Sequence, residues 1–237
     1  MRGLEEKSIV ITGATSGIGF ELAIRLIKEG AKVFLVGRNF DKLKKILSSL
    51  EINNSKVFFL STNFIDFSDV ENLIIKLKLE ADIDVLIHCA GAISLGSFED
   101  DTIENLNIQY KVNVAAPFYI TQKLLPALKS TKGQIIFLNS TAGLESNENT
   151  SLYASSKHAI KAMAKSLRKE ILKDKIKVTN IFLGSTDTPM QEKVQKIKGN
   201  VYDPNKFMPA KDVADTIISI LRIPKNMTIT DITLLPF

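Results

Sequence analysis

The sequence predicts an α/β chain organised as a doubly wound parallel sheet of about seven strands, with helices on both faces. Two observations carry that expectation. Short apolar runs alternate with longer segments in which apolar residues return every three or four positions, and no Pro/Gly-rich linker, repeat or low-complexity tract interrupts the 237 residues. The runs are Ser8–Thr12, Lys32–Val36, Lys56–Ser61, Val85–His88, Gln134–Asn139, Lys177–Phe182 and Thr228–Leu234. Continuous rather than alternating apolarity is what a strand covered on both faces requires. A single domain is therefore expected over residues 1–237, with a variable substrate loop at about 189–209.

The first strand runs directly into Thr12-Gly13-Ala14-Thr15-Ser16-Gly17-Ile18-Gly19, and a helix follows with Ile18, Leu22, Ala23, Leu26 and Ile27 on one face and Gly30 as its stop. Strand before and helix after make this turn a dinucleotide cradle rather than a ligand-free glycine-rich turn. Gly13 permits the tight turn, Gly17 lets backbone approach a pyrophosphate, and Gly19 lets the helix lie against the sheet; Thr15, Ser16 and Ile18 belong to the same site. The helix start adds free N–H groups and the positive end of its dipole.

The second strand ends at Val36-Gly37-Arg38. A carboxylate there would bind the ribose 2′-hydroxyl of NAD, whereas a guanidinium suits a 2′-phosphate, so NADP(H) is expected in preference to NAD(H). Asp41, with Asn39, reads as the polar start of the next helix. Further along, Pro189–Pro209 is the least regular stretch, rich in lysine, glutamine and asparagine, and is the candidate substrate lid.

Composition narrows the classes. The chain is 45% hydrophobic with a net charge of +5, but its lysines, at Lys42–Lys45, Lys123–Lys132, Lys157–Lys177 and Lys193–Lys198, mostly alternate with apolar residues at helical spacing. That is the pattern of solvated helix faces; without tryptophan or an aromatic-interleaved basic tract, no nucleic-acid partner is expected. Glu5 and Glu6 stand before the first apolar run and spoil a signal or transit peptide in Met1–Lys7. No apolar stretch reaches the roughly 18 residues that span a bilayer, so no membrane partner is expected. The single cysteine, Cys89, excludes an internal disulfide, fits a reducing compartment and lies in an apolar run that favours burial. The reading is cytoplasmic, and no cluster of histidine, cysteine and carboxylates suggests a metal.

Tyr153 and Lys157, four residues apart, can share one helical face. A tyrosine titrates near 10, and a neighbouring ammonium favours its phenolate, so the pair can make a proton donor. Alone, the spacing also suits two residues on a solvated face.

With the glycine turn, Ser140 in Asn139-Ser140-Thr141-Ala142-Gly143 and Asn113 in Lys111-Val112-Asn113-Val114, the pair resembles the short-chain dehydrogenases/reductases from Ser8 to about Leu235. The separations of 27 residues from Asn113 to Ser140 and 13 from Ser140 to Tyr153 are those of the family. The resemblance implies a Rossmann-type domain and an NADP(H)-dependent oxidoreductase that interconverts a small-molecule carbonyl and an alcohol. Tyr153 would donate the proton, Lys157 would lower its pKa and bind the nicotinamide ribose, Ser140 would hold the carbonyl oxygen, and Asn113 would orient a water behind Lys157. The alternatives are a helix-capping Ser140 and a hydrogen-bonded core Asn113.

Other family positions match unevenly. Asn63 stands where many members have an aspartate beside the adenine, with Phe64 next to it. His88-Cys89-Ala90-Gly91 replaces the family's NNAG, keeping Ala90 and Gly91 for the cofactor; His88 reads as a satisfied strand-end residue. Leu183-Gly184 stands for Pro-Gly, and Gly184, Thr186 and Thr188 match the segment that receives the nicotinamide carboxamide. His158 should point elsewhere on the helix and has no role. The resemblance also implies a homodimer or homotetramer paired through helices at about Val112–Leu128 and Tyr153–Ile171. A catalytically silent nucleotide-binding regulator on the same fold is the alternative function.

Overall fold

The computed structural model describes residues 3–49, 54–79 and 82–237. Met1 and Arg2 of the leading segment lie outside them, as does the side chain of Lys42. The elements run β1 (Ser8–Thr12), α1 (Gly17–Lys28), β2 (Lys32–Gly37), α2 (Asp41–Ser49), β3 (Val57–Ser61), α3 (Phe67–Leu79), β4 (Val85–His88), α4 (Ile103–Tyr110), α5 (Ala116–Thr131), β5 (Gln134–Ser140), α6 (Ser151–Glu170), β6 (Lys177–Leu183), β7 (Thr186–Asp187), α7 (Pro189–Ile197), β8 (Met208–Pro209), α8 (Ala210–Leu221) and β9 (Asp231–Leu234).

Seven strands form one parallel sheet in the order β3-β2-β1-β4-β5-β6-β9. The seven apolar runs are those strands, although the last starts at Asp231 rather than Thr228. Their continuous apolarity has the expected cause, because successive residues feed opposite layers. Ile9, Ile11, Leu35 and Ile87 pack with Leu22 and Leu26 of α1 and Ile217 of α8, whereas Val10, Phe34, Leu86 and Phe137 pack with Leu73 of α3, Ile120 of α5 and Ile160 of α6. Each fully buried side chain of this size stabilises the fold by about 1.5–3 kcal/mol, and truncating one such as Leu22 to alanine would cost about 2–5 kcal/mol. The sheet order reverses between β1 and β4, where the registered pair Thr12 and His88 marks the strand tips. Crossovers leaving those tips in opposite directions open a crevice there.

Residues 189–209 differ from the expected irregular loop. Thr188 accepts from Gln191 N at 3.2 Å and caps α7, Pro189 supplies the preset φ of a first helical position, and Gly199 at φ +69° follows the helix end. Glutamine and lysine are good helix formers, but only Val194 is buried, so the apolar period is too thin to read from sequence. The chain then returns as β8, which pairs in parallel with β7. Among the described residues no helix is long and apolar enough to cross a membrane, and no group of three or more His, Cys, Asp or Glu could hold a metal ion.

Candidate active site

The strand tips surround a cleft of about 530 Å³, and every site residue expected from sequence lines it except Asn113. At one end each glycine of the first turn is required. Gly13 and Gly17 have φ of +68° and +50°, in the left-handed region that favours glycine. A Cβ on Gly13 would lie 2.8 Å from Ala90 backbone, and one on Gly19 would lie 2.4 Å from Gly13 O. Thr12 ties the turn to β4, its hydroxyl accepting from Cys89 N and Ala90 N at 3.2 Å each. Thr15, Ser16 and Ile18 line the cleft beside the glycines. The result is a cradle of bare backbone at the N-terminus of α1, which fits a pyrophosphate.

Arg38 stands exposed at the tip of β2, on the same cleft, with no acid beside it in the lining. Asn63 and Phe64 line the cleft next to it; the Asn63 backbone N–H donates to Asp69 at 3.0 Å, and its Oδ1 accepts from Ile65 N at 3.2 Å. At the far side Gly184 N donates to Leu234 O at 2.8 Å, so the end of β9 holds the loop in place of the missing proline. Thr186 donates to Gly184 O at 3.1 Å and Thr188 to Thr186 O at 3.2 Å, fixing the loop down to α7.

Tyr153 and Lys157 face each other on α6, with the Lys157 Nζ 5.6 Å from the centre of the tyrosine ring. The ammonium is buried and donates to Leu138 O at 3.2 Å. Ser140 accepts from Ala142 N at 3.1 Å, capping a short turn, and it lines the cleft together with Tyr153. Asn113 sits in a π turn, Lys111–Ala115, that joins α4 to α5. Its Oδ1 accepts from Ala92 N at 2.8 Å, and its Nδ2 donates to Ala92 O and Ser156 Oγ, both at 2.9 Å. The side chain is thus hydrogen-bonded within the core, and it positions Ala92 and Ser156 directly.

Burial dominates the electrostatics of the pair. Burial pushes the Tyr153 phenol up to about 12, against a smaller lowering by the Ser140 hydroxyl, and pushes Lys157 down to about 8. The Lys157 Nζ lies over the ring face and donates to Leu138 O, and burial outweighs any lowering of the phenol. Cys89, half-buried in the cleft wall, has its thiol pushed up by burial despite the opposing Lys157 charge.

His88 is less satisfied than expected. Its Nε2 shares a hydrogen bond with Thr121 Oγ1 at 2.9 Å and its ring stacks on Phe137 at 4.9 Å, but Nδ1 is buried without a partner among the described residues. Burial pushes the imidazole down to about 3. His158 bonds Ala154 O at 2.9 Å within its own helix.

A second layer escaped the sequence reading. Asn139 accepts from Ser140 N at 2.8 Å and donates to Lys157 O at 3.1 Å, clamping β5 to α6. Ser156 donates to Tyr153 O at 2.8 Å and passes the Asn113 bond to the tyrosine's own turn. A polar residue ending an otherwise apolar strand was the available signal for Asn139. Met190, Gln191, Val194, Gln195 and Lys198 of the α7 segment also line the cleft.

Residues 7–199 match the family model described as short chain dehydrogenase. The chain belongs to the short-chain dehydrogenase/reductase family. It is 32% identical over 241 residues to an oxidoreductase of Staphylococcus epidermidis and 31% identical over 240 residues to one of Staphylococcus aureus, each alignment covering 100% of both chains. Among solved structures it resembles an alcohol dehydrogenase of the archaeon Thermococcus sibiricus complexed with 5-hydroxy-NADP, with a TM-score of 0.84, 24% identity and 96% and 95% of the two chains covered. ElxO with NADP bound gives a TM-score of 0.84 at 22% identity, covering 97% of each chain. Family and relatives make this chain a dehydrogenase/reductase.

Proposed function

We propose that this dehydrogenase/reductase uses NADP(H), in preference to NAD(H), to interconvert a carbonyl and an alcohol, with Tyr153 as the general acid and base. The observation that carries the proposal is the meeting of Ser140, Tyr153 and Lys157 in one cleft with the glycine cradle and Arg38. The bare backbone at Gly13, Gly17 and Gly19 would hold the pyrophosphate, Arg38 the 2′-phosphate, and Gly184, Thr186 and Thr188 the nicotinamide end. When bound, NADPH supplies the hydride that reduces the carbonyl carbon.

Ser140 and Tyr153, which line the same cleft, would bind the carbonyl oxygen between their hydroxyls. Tyr153, protonated throughout the neutral range, gives that oxygen its proton. Lys157, charged below about pH 8, stabilises the negative charge left on the phenol and returns a proton to it. Asn113, through Ser156, and Asn139, through Lys157 O, act as positioning residues that hold α6 against the π turn and against β5 respectively.

The test is NADPH oxidation with a panel of ketones and aldehydes, alongside Arg38→Ala. Turnover is expected, and Arg38→Ala should raise the NADPH KM about 10- to 100-fold while changing the NADH KM less than threefold. Equal losses for both cofactors would refute the phosphate contact. Tight NADPH binding with no carbonyl turned over would favour the silent regulator.

A further inference from the structure

The substrate end of the cleft has a charge pattern that the cofactor does not explain. One face of the α7 segment lines it through Met190, Gln191, Val194, Gln195 and Lys198, positions that helical periodicity places side by side. The segment reaches the opposite wall, since the Met190 Cε lies 3.5 Å from where a Cβ on Gly91 would sit. The same cleft has apolar lining in Ile93 and Leu95, which follow β4 and Gly91, and in Ile108 and Val112 around the π turn.

Among the described residues no carboxylate lines this cleft, and its charged side chains are Arg38, Lys157 and Lys198. Arg38 stands at the tip of β2 and Lys157 is buried against Tyr153, so Lys198 is the cation left for a second molecule. Gln191 and Gln195 stand three to seven positions before it on the same face. Asn200 Nδ2 donates to Gln195 Oε1 at 2.9 Å and orients that amide. The whole of 189–209 is biased the same way, with Lys193, Lys196, Lys198 and Lys206 against Glu192 and Asp203. An apolar wall, an amide ridge and an unopposed ammonium suit a ligand with a hydrocarbon body and a negative end.

We infer that the substrate is an oxo acid: a carbonyl compound whose carbonyl meets Ser140 and Tyr153, whose body lies on Ile93, Leu95 and Ile108, and whose carboxylate is held by Lys198 beside Gln191. The inference rests on the oxidoreductase reading above. It narrows that reading from any carbonyl to one carrying an anion.

The test uses a ladder of straight-chain methyl-ketone carboxylates of increasing length, each paired with its primary amide, assayed with NADPH on the wild-type protein, Lys198→Gln and Lys198→Glu. At the preferred length, kcat/KM for the carboxylate should exceed that for the amide about tenfold, and the ratio should shrink as salt is raised because Lys198 is exposed. Lys198→Gln should bring the ratio near one and Lys198→Glu should invert it. Ketones reduced with a ratio near one at every length, or a ratio unmoved in both variants, would overturn the oxo-acid assignment while leaving the oxidoreductase reading intact. A raised NADPH KM in Lys198→Gln with the ratio unmoved would overturn it too, by placing Lys198 on the cofactor. No reduction of any ketone would overturn the oxidoreductase reading itself, and the assignment with it.

Discussion

On one side of the cleft the groups proposed to react stand on strand tips and on α6, each braced by buried partners: Ser140 by Asn139, Lys157 by Leu138 O, and Tyr153 by way of Ser156 and Asn113. On the other side α7 presents a lysine-rich helix with a single buried residue, held by Thr188 at its start and by the Tyr202 hydroxyl, which donates to Asp187, beyond its end. Chemistry needs geometry fixed to fractions of an ångström, which packed strands supply. A wall that must admit and release substrate is drawn from the less tightly packed part of a fold.

Apart from loss of Tyr153 itself, the largest effect expected on the braced side is in its pH dependence. Lys157 carries its proton below about pH 8, so kcat/KM for NADPH should be level from pH 6 to 8 and fall about tenfold per unit above that. A profile level to pH 10 would mean that the Lys157 charge is not used.

His88 tests the same wall through stability. Its folded value of about 3 lies below the unfolded value near 6.5, so the unfolded chain takes up the proton first as pH falls. The contribution is whole above about pH 6.5 and is lost progressively from there down to about pH 3. His88→Asn should therefore lose less stability between pH 7 and pH 4 than the wild-type protein does, by about 3 kcal/mol, in urea unfolding at the two pH values. An unchanged difference would show that His88 does not titrate with unfolding.

The smallest effect belongs to the α7 side. Tyr202→Phe removes the bond to Asp187, and the expected result is a threefold to tenfold rise in KM for the carbonyl substrate with kcat little changed, together with faster proteolytic nicking within 189–209. A loss of kcat as large as that of a braced-side variant would erase the distinction between the walls.

This division also governs what the sequence disclosed. The strands and the glycine turn were legible because each is a local pattern, an apolar run or a fixed spacing, and the four residues Asn113, Ser140, Tyr153 and Lys157 were legible through family spacing. The α7 helix was not, because its polar face outweighs one buried valine. The π turn under Asn113 and the clamps made by Asn139 and Ser156 depend on neighbours 18 to 43 residues away, which no local window contains. The direction of the Tyr153 shift needed three dimensions as well. Spacing brings the ammonium close, but it does not disclose the burial that raises the phenol.

The central claim is that Tyr153 delivers the proton. The direct measurement is single-turnover reduction of a carbonyl substrate by Tyr153→Phe, with NADPH affinity titrated on the same sample. A rate lower by a factor of about 1,000 or more, with NADPH Kd changed less than threefold, is the result this account predicts. Turnover within tenfold of the wild-type rate would contradict it.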